Sequence, residues 1–150
     1  MIEKVPNGLH ELFEVFGNPM EPDFEEKYLK VFQFPYQLLY DGKPDLHGRC
    51  HALAVDNFVK AFQLIKDRGL TEQVQNYGGI WQMRSKRGMD HPSVHCWAVA
   101  VDLEPAKYPL GSTDRFSDEV VACFREAGFF YGGDFAHRLD PMHFQLCTGY

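Results

Sequence analysis

The sequence predicts an α+β fold, a mainly antiparallel sheet with helices packed on it. Three observations point there. Some stretches carry apolar residues at helical spacing. Several short apolar runs are bounded by glycine, proline or aspartate. The two kinds of segment mix without the regular strand–helix–strand rhythm that builds a parallel sheet.

The elements follow in order. Leu9, Leu12, Phe13 and Phe16 recur at helical spacing, and Gly17-Asn18-Pro19 stops that short helix. An acidic segment leads into an apolar, aromatic run over 31–40. Pro35 lacks the N–H that an inner strand would donate, so this run reads as an edge strand or an irregular extended segment. Asp41-Gly42 marks a turn. The clearest helix covers 50–68, with Val55, Phe58, Val59, Phe62 and Ile65 as its apolar stripe and Gly69 at its end. Residues 80–84 read as a short strand after Gly78-Gly79, 85–92 as a polar loop, 97–103 as a strand and 104–113 as a loop. A further helix spans about 117–127. Ser117 can cap it, Asp118 and Glu119 suit its positive end, and Gly128 closes it. Residues 129–131 and 143–146 complete the strands.

A chain of 150 residues suits a single domain, 1–150. With 45% hydrophobic and 15% aromatic residues it can bury a true core, which excludes a disordered chain. The formal charge of -6 excludes nucleic-acid binding driven by charge alone, and adhesion to an anionic surface. No run approaches the ~18 apolar residues of a membrane span. The first residues hold no apolar run of signal-peptide length, so the chain is expected to be made in the cytoplasm without its own export signal. Cys50, Cys96, Cys123 and Cys147 fit no CxxC motif and read as reduced, mostly buried thiols.

Two segments place polar residues inside apolar surroundings, 91–102 and 134–144. Asp102 ends an apolar strand, where a bare carboxylate is costly to bury. A metal would neutralise it and fill the space beside Ala98 and Ala100; a solvated strand end or an arginine partner would serve as well. His95 and Asp102 are seven residues apart, so on a regular strand they face opposite ways. Both can reach one metal only if His95 lies in the turn before the strand, or if a bulge intervenes. His143 opens the last strand. Asp140 precedes it by three residues, with Pro141 preventing a helical turn between them. A histidine ligand with a carboxylate beside it suits hydrolysis, and two His with one Asp leave a fourth zinc position open. Asp140 before Pro141 is also a common turn.

The same residues resemble a known family. Ser93, His95, Ala100 and Asp102 match its pattern Ser-x-His-x-x-Gly-x-Ala-x-Asp, with Ala98 in place of Gly. Gly132-Gly133-Asp134-Phe135 and Asp140-Pro141-Met142-His143-Phe144 match its second pattern, with Phe135 for Trp and Gln145 where Glu is frequent. Arg84 matches an arginine on a preceding strand. The chain thus resembles the VanY-type D-alanyl-D-alanine carboxypeptidases and the L-alanyl-D-glutamate endopeptidases of phage endolysins. The resemblance covers about residues 47–147 and leaves 1–46 as an N-terminal extension of unassigned role.

The resemblance implies a Hedgehog/D-Ala-D-Ala peptidase-like fold and a Zn2+ site made by His95, Asp102 and His143. It implies Asp140 as general base and then acid. Arg84 would hold either the negative oxygen of the tetrahedral intermediate or a substrate carboxylate. Ser93 would support the site by a hydrogen bond or simply form the turn. His91 and His137 lie beside the motifs at offsets that the pattern does not use. Cys96 is adjacent to His95 on the chain, so it points away from it. The implied activity is zinc-dependent hydrolysis of a peptide bond in bacterial peptidoglycan stem peptides. The missing signal peptide favours a phage lysin that reaches the cell wall on release. The alternatives are a non-catalytic zinc-binding module and a phage structural or assembly protein.

Overall fold

A computed structural model describes residues 1–86 and 91–150. Among these, six strands form one sheet in the order β2-β1-β3-β4-β6-β5. The strands are β1 (Leu29–Tyr40), β2 (Lys43–His51), β3 (Asn76–Gly79), β4 (Ala100–Leu103), β5 (Phe130–Tyr131) and β6 (His143–Gln145). Every neighbouring pair is antiparallel except β1 with β3. The helices are α1 (Gly8–Phe16), α2 (Phe24–Tyr28), α3 (Val55–Asp67) and α4 (Asp118–Glu126). The architecture is therefore α+β with a mostly antiparallel sheet.

The apolar stripes of α3 and α4 meet each other and one face of the sheet. Phe62 of α3 lies edge-on to Phe34 of β1 at 5.0 Å and to Phe124 of α4 at 5.5 Å. Phe124 stacks in turn on Phe144 of β6 at 4.3 Å. These rings are all buried, and each contributes on the order of 1.5–3 kcal/mol of transfer free energy. Ser117 caps α4 as its sequence implies, its Oγ accepting from the Val120 N–H at 3.3 Å.

Several elements differ from expectation, each for a physical reason. The run containing Pro35 is an inner strand between β2 and β3, not an edge. The β1–β2 ladder slips register between Gln33 and Leu38, and Pro35 sits in that irregular stretch, where no ladder bond is lost. The edges of the sheet are β2 and β5, and the lysine, aspartate, proline and glycine of β2 kept it from reading as a strand, its last residues being expected to start a helix. Its Gly48 is needed because a Cβ there would lie 2.6 Å from the Phe32 ring and 2.9 Å from Phe34. Asp41 and Gly42 both adopt positive φ, 51° and 75°, in the tight hairpin turn that joins β1 to β2. The helix expected from residue 50 begins only at Val55, because Cys50 and His51 still pair with β1. The strand expected at 80–84 lies earlier, at Asn76–Gly79. The one expected from residue 97 shortens to Ala100–Leu103, because Ala98 turns left-handed (φ 57°, ψ 40°).

The N-terminal stretch is stitched onto the elements that carry the polar residues. Gly8 N–H donates to the Thr148 carbonyl at 2.8 Å, and Thr148 N–H to the Pro6 carbonyl at 3.0 Å. Trp97 donates its indole N–H to the Gly17 carbonyl at 2.8 Å, and its ring meets Phe13 of α1 edge-on at 5.3 Å.

Candidate metal centre

β4 and β6 carry the centre. Their ladder sets Val101 opposite Phe144, Asp102 opposite His143 and Ala100 opposite Gln145. Side chains alternate across a strand, and Phe144 is spent on α4. Asp102, His143, Ala100 and Gln145 therefore share the other face. Directly opposed residues are the closest cross-strand neighbours, so Asp102 and His143 meet: His143 Nδ1 lies 3.1 Å from Asp102 Oδ1.

His95 arrives from outside the ladder, as its odd spacing requires. It sits in a 3₁₀ turn, Val94–Trp97, before β4. Ser93 Oγ caps that turn by accepting from the His95 N–H at 3.2 Å. The left-handed Ala98 then swings the chain into β4, at the position where the family pattern has glycine. His95 Nε2 thereby comes within 3.3 Å of Asp102 Oδ2. The ligating atoms of His95, Asp102 and His143 all lie within 4.8 Å of one another, a group that can hold a metal ion. All three residues are buried, at 0%, 7% and 6% exposure.

The donor set fits a divalent metal. His95 Nδ1 faces the Ile80 carbonyl at 2.9 Å. A carbonyl only accepts, so Nδ1 carries the hydrogen and Nε2 holds a lone pair. That buried Nε2 makes no hydrogen bond among the described residues, and its lone pair points at a carboxylate oxygen. Two negative ends this close call for a cation or a proton between them. Burial by itself raises the Asp102 carboxyl, but positive charge on the two rings, when they are protonated, outweighs it and holds the group well below the ordinary carboxylate range. Burial lowers His143, yet Asp102 and Asp140 raise it above an ordinary histidine.

Asp140 stands next to this group without joining it. Asp140-Pro141-Met142-His143 forms a turn closed by His143 N–H to the Asp140 carbonyl at 3.0 Å. This turn sets Asp140 Oδ2 3.9 Å from His143 Nδ1. The glycine pair makes room for it. Asp140 N–H donates to the Gly132 carbonyl at 2.9 Å, and a Cβ on Gly132 would fall 2.2 Å from the Asp140 carbonyl oxygen. A Cβ on Gly133 would strike the Tyr131 ring at 2.3 Å.

A cleft of about 710 Å3 opens over the centre, walled by Arg84, Lys86, Phe135, Asp140, Met142 and Tyr150 among others. Arg84 lies beyond β3 and not on a strand. Its guanidinium is held by Gln82 Oε1 (3.2 Å) and the Ser85 carbonyl (3.3 Å), and its own carbonyl accepts from Ser93 N–H at 2.9 Å. His91 and His137 are exposed and outside the three-residue group. The Cys96 thiol donates to the Arg84 carbonyl at 3.1 Å, and burial pushes its pKa up, which suits an inert thiol. The four cysteines are buried and unpaired with one another. Two other carboxylates near the motifs are engaged elsewhere. Asp134 pairs with Arg115 at 3.1 Å and with Arg125. Glu104 accepts from the Gln75 and Asn76 N–H groups at 2.7 and 2.9 Å. Sequence reasoning assigned no role to Ile80 or Gln145, although Gln145, two residues from His143 on a strand, had to share its face.

Residues 87–146 match the peptidase M15 family model described as D-alanyl-D-alanine carboxypeptidase. No curated protein and no solved structure gives a significant match. The family match spans all three members of the buried group together with Asp140, and it supports the VanY-type zinc peptidase family that the two motifs resemble.

Proposed function

We propose that this chain is a zinc peptidase that hydrolyses a peptide bond in bacterial peptidoglycan stem peptides, acting as a lysin of phage type. The observation that carries the reading is a buried His-Asp-His group with a separate carboxylate, Asp140, 3.9 Å from one of its nitrogens. A purely structural metal site needs no such neighbour. The whole of 1–150 is read as one peptidase domain of the Hedgehog/D-Ala-D-Ala peptidase-like kind.

His95 through Nε2, His143 through Nδ1 and Asp102 would hold the ion. Bound there, zinc would supply Lewis acidity and lower the pKa of a water. Asp140 accepts a proton from the attacking water and returns it to the leaving amine. Arg84 lines the same cleft, and its guanidinium holds the negative oxygen of the tetrahedral intermediate or a substrate carboxylate. Ser93 acts through the turn, keeping His95 aimed at Asp102. Among the described residues no helix is long and apolar enough to cross a membrane, and the lysin reading has the protein meet the wall after release.

The test is cleavage of purified peptidoglycan, with products identified by mass. Activity that a chelator removes and zinc restores supports the reading. A protein that binds zinc and cuts no stem peptide would instead be a binding module.

A further inference from the structure

We propose that Gln145 is the positioning residue of the metal centre, locking His143 in the one tautomer that offers Nδ1 to a metal. This rests on the reading that the His-Asp-His group holds an ion. The Gln145 side-chain amide faces the Cys147 carbonyl at 3.2 Å and the Tyr150 backbone oxygen at 3.5 Å. Both oxygens only accept, so the NH2 end of the amide must point at them. The Oε1 end is left facing His143 Nε2 at 2.8 Å. An amide oxygen also only accepts, so Nε2 must carry the hydrogen, and the lone pair of the neutral ring lies on Nδ1, beside Asp102.

His95 is locked in the opposite sense, with hydrogen on Nδ1 toward the Ile80 carbonyl and its lone pair on Nε2. Two backbone carbonyls, at 80 and 147, thus set complementary tautomers in rings whose centroids are 5.1 Å apart. Gln145 is 3% exposed, so water cannot stand in for its amide. Where a carboxylate occupies this position it can accept from Nε2–H but cannot donate to residue 147. The glutamine does both, and it joins a metal ligand to the 147–150 segment that walls the cleft.

The experiment compares wild type with Gln145→Met and Gln145→Glu by two readouts. Ring-nitrogen NMR of the metal-free proteins, at a pH where the rings are neutral, reports which nitrogen carries hydrogen. Competition against a zinc-binding dye gives zinc affinity. Wild type is expected to show His143 with hydrogen on Nε2 and His95 with hydrogen on Nδ1. Gln145→Met should mix the His143 tautomers, leave His95 unchanged as the internal control for folding, and weaken zinc about 10–100-fold. Gln145→Glu keeps the acceptor and should restore both the tautomer and most of the affinity. Wild-type His143 with hydrogen on Nδ1, or a Gln145→Met protein with unchanged tautomer and unchanged affinity, overturns the proposal. A wild type with the expected tautomers that binds no zinc overturns the metal reading instead, so the two failures are told apart.

Discussion

His51 should make the protein lose stability in mild acid. Its ring is 1% exposed and stacks on Tyr28 at 5.2 Å. Nε2 donates to the Phe16 carbonyl at 2.9 Å, and Nδ1 accepts from the Leu53 N–H at 3.1 Å. Both nitrogens are satisfied only when the ring is neutral, because a hydrogen on Nδ1 would face another N–H. Burial lowers the pKa below 6.5, and the bond to Phe16 offsets this only in part. The unfolded chain therefore binds the proton more readily than the folded one. Stability is full well above pH 6.5 and falls as pH drops below it, at up to about 1.4 kcal/mol per pH unit, until the folded group also titrates. Between pH 7.5 and 5.5 this histidine therefore makes the folded state progressively less stable relative to the unfolded one. The loss would be felt near the metal turn, since His51 N–H donates to the Ala98 carbonyl at 3.0 Å. The assay is urea unfolding across this range with chelator present, for wild type and His51→Gln. The variant should be less stable at pH 7.5 and flatter toward pH 5.5. An equally steep loss in both proteins would show that the slope comes from other groups.

Other outcomes follow from the site. Gly132→Ala places a methyl 2.2 Å from the Asp140 carbonyl oxygen, so the Asp140 turn must move. Turnover should fall at least tenfold with zinc content kept; unchanged turnover would show that Asp140 is not held there. Zinc at 100 times its dissociation constant should stabilise the protein by about 2.7 kcal/mol, raising the melting temperature by roughly 5–10 °C. Asp102→Asn, which removes the carboxylate between the two rings, should abolish that shift in a calorimetric scan.

How much of this was legible in the sequence depended on distance along the chain. The turn before β4 was readable because the odd spacing of His95 and Asp102 allows one metal only if the ladder is broken between them. Asp140 and His143 lie three residues apart around a proline, so their turn was readable too. The sheet order was not. The parallel pairing of β1 with β3 joins Leu39 to Asn76 across the whole of α3, and no local pattern encodes it. The edge strand β2 was hidden because Gly48, a strand weakener by itself, is explained only by the two phenylalanine rings against it. The role of Gln145 stayed hidden for the same reason. It depends on the backbone oxygens of Cys147 and Tyr150 turning back toward β6, which periodicity does not report.

On the proposed function, three residues hold the metal while a fourth moves the proton. Zinc stoichiometry and stem-peptide turnover, measured side by side on wild type, Asp140→Ala and His143→Ala, test it most directly. Asp140→Ala should retain zinc and lose about 10²-fold or more in turnover. His143→Ala should lose both zinc and turnover. An Asp140→Ala protein as active as wild type would contradict the account, because the carboxylate 3.9 Å from His143 would then have no part in the chemistry.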